Sequence, residues 1–136
     1  MTTPLTGGCL CGAIRYTGSA PITEARACHC TSCQQASGAA GSVNAVLPSS
    51  ALAVTQGQPK RYASKADSGR TLYRYFCGDC GSPIYSQRET TPETSVLRVG
   101  TLDLPEGFRI TAHIWTKSAR SWHHMEPDAK RFEGQP

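Results

Sequence analysis

The sequence lacks any apolar run long enough to cross a membrane. The segment 27–59 contains no Asp, Glu, Lys or Arg, but glycine, serine, asparagine and Pro48 interrupt it, and its longest apolar run is Ala51–Val54. A membrane-spanning helix needs about 20 consecutive apolar residues. The first residues, Met1–Cys9, contain neither a basic leader nor an apolar stretch, so the pattern of a secretory signal is missing. We therefore expect a cytoplasmic protein with no transmembrane segment and no membrane partner.

Aromatic residues and internal repeats are also scarce. Aromatic residues make up 7% of the chain and hydrophobic residues 38%, which predicts a modest core. With 13 glycines and 9 prolines, the composition favours many short elements joined by turns over long helices. No repeat, heptad pattern or linker divides the chain, and a length of 136 residues is typical of one domain. We expect residues 1–136 to form a single domain.

Short strand patterns dominate the sequence, so the predicted fold class is all-β. The segments are rich in β-branched or aromatic residues and are bounded by Gly, Pro, Ser or Asp. Only Thr31–Ala36 has the pattern of a helical turn, with Thr31 or Ser32 able to cap it, and the chain from Ser118 onward is expected to be irregular. The predicted strands are Ala13–Thr17, Ser42–Leu47, Ala51–Thr55, Arg70–Phe76, Pro83–Ser86, Ser95–Val99 and Arg109–Thr116.

Seven cysteines give the most specific signal in the sequence. Their number is odd, so they cannot all form disulfides within one chain, and cytosolic proteins keep their thiols reduced. Thiolate ligation of a metal ion is the favoured interpretation, with redox-active thiols or inert buried cysteines as alternatives. The cysteines fall into a first cluster (Cys9 and Cys11), a second cluster (Cys28, Cys30 and Cys33) and a third cluster (Cys77 and Cys80).

Seven thiols divide into a group of four and a group of three. Four thiolates close a tetrahedral structural zinc site, whereas three leave a position for water or a substrate thiol. The spacing permits two divisions. In one, Cys30 and Cys33 join the third cluster, and Cys28 stays with the first cluster. In the other, the first and third clusters share one ion and the second cluster forms the open site. The second division keeps three ligands on one short loop, which costs less chain entropy, so we favour it.

Five segments of the chain, taken in order, form a set of motifs: Gly8–Tyr16, Cys28–Gly38, Arg74–Ser82, Val99–Asp103 and His113–Trp115. They resemble the glutathione-dependent formaldehyde-activating enzymes, a family that also includes the centromere-protein-V-like proteins. The resemblance implies an all-β, Mss4-like tent of small antiparallel sheets stapled by zinc, with two zinc ions per chain. It also implies that the first and third clusters hold a structural zinc ion and that the second cluster holds a catalytic one.

The resemblance implies an activity as well. The named activity of the family is the condensation of glutathione with formaldehyde, which is classed as carbon–sulfur lyase chemistry. We therefore expect a zinc-dependent enzyme that acts on thiol adducts of small aldehydes, with the second cluster as its centre and a thiol such as glutathione as its small-molecule partner. A non-catalytic zinc module that binds a partner or nucleic acid, and a thiol redox protein, are the alternatives.

The positive charge is confined to one segment. Between Lys60 and Arg74, five cationic residues stand against Asp67 alone, while the rest of the chain is balanced and the net charge is +4. Seven thiolates and two zinc ions would lower this net charge to about +1, so nucleic acid is not the expected partner. Arg61, Arg70 and Arg74 are candidates for holding the carboxylates of a glutathione-like tripeptide, or they form a solvated strand surface.

Histidines and Trp115 complete the candidate residues. In an extended backbone His113 and Trp115 fall on one face of their strand, so they are candidates for lining a substrate pocket, with a packed surface pair as the alternative. His29 lies between two cysteines, and the same alternation directs it away from the metal. No pair of carboxylates suggests an acid and base couple, so no group for proton transfer is predicted.

Overall fold

The computed structural model describes residues 5–65, 69–104 and 107–136, and its regular elements are almost all strands. Asp67 of the basic segment lies outside these residues. The described part contains one α-helix, α1 (Thr31–Ser37), and none of its helices is long and apolar enough to span a bilayer. The all-β class is therefore confirmed. The strands are β1 (Leu5–Gly8), β2 (Arg15–Gly18), β3 (Glu24–Cys28), β4 (Ser42–Pro48), β5 (Leu52–Gln56), β6 (Lys60–Lys65), β7 (Thr71–Phe76), β8 (Pro83–Arg88), β9 (Thr91–Arg98), β10 (Arg109–Ile114) and β11 (Lys130–Arg131).

The strands form two sheets of unequal size. β1, β2 and β5 make a three-stranded antiparallel sheet, and the other eight strands follow the order β11-β10-β3-β4-β9-β8-β7-β6. In the larger sheet β10 runs parallel to both β3 and β11, while the other pairings are antiparallel. This differs from the expected small antiparallel sheets. The long chain between β3 and β10 permits the parallel pairing, which a short hairpin cannot make.

The predicted strands are present with shifted ends, but four others were not predicted. β3 has the sequence Glu-Ala-Arg-Ala-Cys, which has little strand propensity; its position between β10 and β4 buries Ala25 and Ala27 and decides its conformation. β1 and β11 are short, and β1 is rich in glycine. β6 is a charged, largely exposed edge strand, which agrees with a solvated surface and hinders pairing with another chain.

The helix α1 begins at Thr31, as predicted, but a different residue caps it. Its N-cap is Cys30, in an extended conformation, and the Cys30 Sγ accepts a hydrogen bond from the backbone N–H of Cys33 at 3.3 Å. The expected caps, Thr31 and Ser32, lie within the helix instead. A cysteine sulfur therefore occupies the position that a serine or threonine oxygen usually takes, and the cap draws two members of the second cluster together.

Two groups of buried side chains hold the molecule together. The larger one joins Tyr16 of the small sheet and the adjacent Ile14 to Ile84 and Leu97 of the large sheet. The Tyr16 hydroxyl also lies 2.7 Å from Thr101 Oγ1. The smaller group contains the second cysteine cluster, and its members are Cys28, Cys30, Cys33, Ile114 and Trp115. The second cluster thus has an apolar surrounding of its own.

Candidate functional site

Four thiols meet where two chain turns face each other. The first cluster lies in the connection between β1 and β2, and the third cluster lies between β7 and β8. The Sγ atoms of Cys9 and Cys11 are 3.6 Å apart, those of Cys11 and Cys77 are 3.7 Å apart, and all four sulfurs lie within 4.8 Å of one another. A tetrahedral zinc ion with Zn–S bonds of about 2.3 Å holds its sulfurs about 3.8 Å apart. The donor atoms and their spacing fit zinc.

The two turns share two local features. The N–H of Ile14 lies 3.2 Å from Cys9 Sγ, and the N–H of Asp79 lies 3.4 Å from Cys77 Sγ, so each turn directs a backbone donor at a sulfur. Such donors favour the thiolate. Each turn also ends in a glycine with positive φ, which a residue with a side chain adopts only under strain. These glycines are Gly12 (φ 82°) and Gly81 (φ 81°).

A side-chain donor acts on the fourth thiol of this group. The hydroxyl of Ser82 lies 3.2 Å from Cys80 Sγ, and this hydrogen bond, together with backbone donors, lowers the pKa of Cys80 to about 5. The same hydroxyl accepts a hydrogen bond from the N–H of Leu10 at 3.0 Å. Ser82 therefore links the two turns and prepares one thiolate for a metal ion.

The second cluster lies at the junction of β3 and α1. Cys28 ends the strand, Cys30 caps the helix and Cys33 lies in its first turn. The three side chains are 5–7% exposed, and their sulfurs lie within 4.8 Å of one another. In the described part of the chain no histidine or carboxylate joins them. The thiols thus fall into the four-and-three division, and three thiolates leave a tetrahedral ion one open position.

Protons are shared unevenly within the second cluster. Hydrogen bonds from the thiols of Cys28 and Cys30, with further contributions from Ser42 and Arg98, lower the pKa of Cys33 well below that of an ordinary thiol. The corresponding contacts with Cys30 and Cys33 raise the pKa of Cys28. One thiolate is therefore favoured before the others. Because metal binding requires thiolates, an incoming ion must displace the protons of the other two thiols, Cys28 and Cys30, whose contacts within the cluster and burial raise their pKa.

A cationic cavity opens on the second cluster. Its volume is about 80 Å³, and it is lined by the three thiols, by five arginines and, among the described residues, by no carboxylate. Burial and the neighbouring charge of Arg88 lower the pKa of Arg26, and burial also lowers that of Arg98. Positive charges crowded in this way favour an anionic ligand. The five are Arg26, Arg70, Arg74, Arg88 and Arg98.

A second cavity, which we call the aromatic chamber, adjoins the cationic one. Its volume is about 260 Å³, and it shares Cys33, Arg74 and Arg98 with the cationic cavity. The rings of Tyr75 and Tyr85 stack in its wall, with centroids 4.4 Å apart and planes inclined by 9°. Cys33 therefore lies where a cationic and an aromatic space meet. The aromatic residues of the chamber are Tyr62, Tyr75, Phe76 and Tyr85.

Two of the three predicted arginines lie beside the second cluster, and the third does not. Arg70 and Arg74 line the cationic cavity with the second cluster. Arg61 lines neither cavity; it lies on edge strand β6, and its guanidinium carbon is 4.2 Å from the centroid of the Tyr73 ring. A contact of Arg61 with substrate stays a prediction.

Trp115 lies beside the second cluster, but not for the predicted reason. Strand β10 ends at Ile114, and Trp115 has a φ of 58°, so the alternation that put it on the face of His113 stops one residue too early. Its indole Nε1 donates to Gln135 Oε1 at 3.2 Å, and its backbone N–H donates to the carbonyl of Gly134. The prediction that Trp115 shares a strand face with His113 is therefore wrong. The carboxyl-terminal segment holds Trp115 in a conformation that is rare for a bulky residue.

His113 lies on the other side of the sheet and lines neither the cationic cavity nor the aromatic chamber. Its Nδ1 is 2.8 Å from Nε2 of His29, and its Nε2 is 2.5 Å from Oε2 of Glu126. Both histidines are 1% exposed. As expected, His29 is directed away from the thiols, and the chain Glu126–His113–His29 ties the residue between Cys28 and Cys30 to β10.

Sequence reasoning missed three arginines of the cationic cavity: Arg26, Arg88 and Arg98. Arg88 and Arg98 lie on the paired strands β8 and β9, whereas Arg26 lies on β3, which β4 separates from β9 in the sheet. Arg98 is fixed further by a hydrogen bond from its Nη1 to Asn44 Oδ1 at 2.8 Å. The absence of acidic residues between 27 and 59 was the available signal, because it leaves the surroundings of the second cluster without a counter-charge.

Gly41 provides a test of how tightly the second cluster is held. A Cβ at this position would lie 2.0 Å from the carbonyl oxygen of Cys28, which is backbone and cannot turn away. We expect Gly41→Ala to lower the free energy of unfolding by about 3 kcal/mol. Chemical denaturation followed by circular dichroism measures the change. Gly100→Ala, where a Cβ meets nothing within 4 Å, is the control; equal stability of the two variants would contradict the described packing.

Comparison with known proteins finds a family match over most of the chain. The family model described as glutathione-dependent formaldehyde-activating enzyme matches residues 4–118. A protein of Sordaria macrospora, provisionally named as such an enzyme, is 35% identical over 92 residues, covering 63% of this chain and 38% of its own length. One of Emericella nidulans, named likewise, is 29% identical over 99 residues, covering 73% and 49%. The chain thus spans less than half the length of these curated relatives.

A solved structure shares the fold. The crystal structure of a Rhodobacter sphaeroides protein superposes with a TM-score of 0.56 at 24% sequence identity. The superposition covers 76% of this chain and 98% of that chain. At this identity the similarity concerns the fold alone.

Proposed function

Because the chain belongs to the family of glutathione-dependent formaldehyde-activating enzymes, we propose that it catalyses carbon–sulfur bond formation between a glutathione-like thiol and a small aldehyde such as formaldehyde. In this addition the sulfur bonds to the carbonyl carbon, and the thiol proton passes to the carbonyl oxygen; the reverse reaction releases the aldehyde. The observation that carries the proposal is the buried group of three thiols at the floor of an arginine-lined cavity.

We propose zinc as the metal, with two ions per chain. The first and third clusters would hold the structural ion, since four thiolates close its coordination. Cys28, Cys30 and Cys33 would hold the catalytic ion. When bound there, zinc supplies a Lewis acid that favours the thiolate form of an incoming thiol at neutral pH. None of the seven cysteines forms a disulfide, so a reducing compartment such as the cytoplasm suits the protein.

The protein's own residues would bind and orient the thiol substrate. Arg70, Arg74 and Arg98 line the space beside the thiols, and guanidinium groups bind carboxylates with two parallel hydrogen bonds. Held by its carboxylates, a tripeptide would direct its sulfur toward the second cluster. Ile114 and Trp115 pack against this cluster and exclude water, which strengthens the electrostatic interactions there.

The direct test is an assay of the purified protein with glutathione and formaldehyde. Adduct formation followed by NMR exchange spectroscopy is expected to proceed faster with the protein than in buffer alone. A rate equal to that in buffer, in a sample shown by metal analysis to hold both ions, would overturn the proposal.

Arg74→Ala tests the binding of carboxylates. The loss of a charge-assisted contact of about 1.5–3 kcal/mol is expected to raise KM for glutathione about tenfold or more, with kcat little changed. Initial rates across a range of glutathione concentrations measure both. Arg109→Ala is the matched control, because the side chain of Arg109 is 78% exposed and lines neither cavity. An unchanged KM in Arg74→Ala would show that the cavity does not hold the thiol.

A further inference from the structure

The aromatic chamber is larger than formaldehyde requires. Its volume is about 260 Å³, whereas an aldehyde of two heavy atoms takes the space of about two water molecules, roughly 60 Å³. We propose that the chamber binds an apolar, aromatic substituent on the aldehyde carbon of the thiol adduct, so that aryl-substituted aldehydes belong to the substrate class. This inference rests on the proposed function and extends it.

The position of Cys33 supports this division of the cleft. Cys33 lines both the cationic cavity and the aromatic chamber. Consider an adduct whose sulfur lies at Cys33 and whose carboxylates lie among the arginines. Its aldehyde carbon is then directed away from the cationic cavity. The chamber occupies that side. The substituent on the aldehyde carbon would therefore reach the chamber while the carboxylates of the adduct stay in contact with the arginines.

The walls of the chamber suit an aromatic ring. Tyr75 and Tyr85 are already stacked, Phe76 and Pro83 add apolar surface, and among the described residues no carboxylate lines the space. Burial raises the pKa of Tyr85, so its phenol is neutral at physiological pH. Aromatic rings prefer such neighbours in stacked or edge-on arrangements, and the guanidinium groups at the junction can lie against a ring face.

The chemistry is the same as with formaldehyde and needs no added oxidant or reductant. The thiol sulfur forms the bond to the carbonyl carbon, the π electron pair moves to the oxygen, and that oxygen takes the thiol proton. The product is a hemithioacetal with the aryl group on the former carbonyl carbon.

Binding of two unreactive thioethers tests the inference without any turnover. S-benzylglutathione carries a ring at the predicted position, and S-methylglutathione does not. Titration calorimetry with the full chain is expected to show the benzyl compound binding about 10 to 100 times more tightly, since burying an aromatic ring gives a difference of this size. Equal affinities would overturn the inference.

Variants of the chamber localise the effect. In Tyr62→Ala and Tyr85→Ala the preference for the benzyl compound is expected to fall at least about fivefold, while the affinity for S-methylglutathione is unchanged. Tyr62 is 62% exposed, so its replacement tests the chamber even if Tyr85→Ala does not fold. Tyr73→Ala is the control, because Tyr73 lies on the same strand as Tyr75 but lines neither cavity. A preference that persists in both chamber variants would contradict the assignment.

The two proposals fail in different ways. Binding of S-methylglutathione with no added affinity for the benzyl compound refutes the aromatic site and leaves the proposed function intact. Binding of neither compound refutes both. A benzyl preference that depends on Tyr62, in a protein that does not accelerate formaldehyde addition, supports the site and refutes the proposed reaction.

Discussion

Cys30→Ser is expected to reduce the rate of glutathione–formaldehyde adduct formation to that of buffer alone while the fold is retained. Cys30 has two roles, as a thiol of the second cluster and as the N-cap of α1. Serine is a good N-cap, so the helix keeps its start. Its hydroxyl is a poor ligand for zinc, so the ion is lost. Even changes around a metal ligand cost about 10–100-fold in affinity or activity, and removal of a ligand is expected to cost more.

The measurement combines the NMR assay with circular dichroism and metal analysis. We expect unchanged spectra and the loss of one of two zinc ions. Ser32→Ala is the matched control, because it changes a neighbouring position in α1 without removing a thiol. A Cys30→Ser protein that retains the full rate would exclude the second cluster as the catalytic centre.

Cys77→Ser is expected to abolish cooperative unfolding altogether. Cys77 is 1% exposed, belongs to the main core and joins the two turns that carry the first and third clusters. Structural zinc contributes about 10–16 kcal/mol in small domains, which is comparable to the whole stability of a typical domain, about 5–15 kcal/mol. Loss of a structural ion from this group would therefore remove free energy comparable to the whole stability of the domain.

Near-ultraviolet circular dichroism during thermal unfolding tests this expectation. Treatment of the unmodified protein with a strong chelator is expected to reproduce the effect, and added zinc to reverse it. Cys30→Ser is the informative comparison, since it should lose a metal ion and keep a sharp transition. If Cys77→Ser unfolds at the temperature of the unmodified protein, the four-thiol group has no structural role.

The three clusters of thiols could be anticipated because the spacing within each cluster is local information. Spacing of one or two residues places sulfurs on the same turn, and the cost of loop closure favoured keeping the second cluster together. The structure brings the first and third clusters to one point, as that division required. The all-β class followed in the same way from short segments with strand composition, although β3 adopts its conformation only through its neighbours.

The arginines and Trp115 could not be anticipated because they depend on distant parts of the chain. Arg26 on β3 meets Arg88 and Arg98 of the β8–β9 pair only because β4 pairs with both β3 and β9, which no local pattern reveals. Trp115 turns toward the thiols because Gly134 and Gln135 hold it at a positive φ. That contact comes from a segment that was expected to be irregular.

Zinc analysis combined with thiol counting tests most directly whether the second cluster holds an ion of its own. The protein, purified without chelators, is predicted to contain two zinc ions per chain and no thiol that reacts with Ellman's reagent until a chelator is added. One zinc ion per chain, with three thiols reacting at once, would contradict the account.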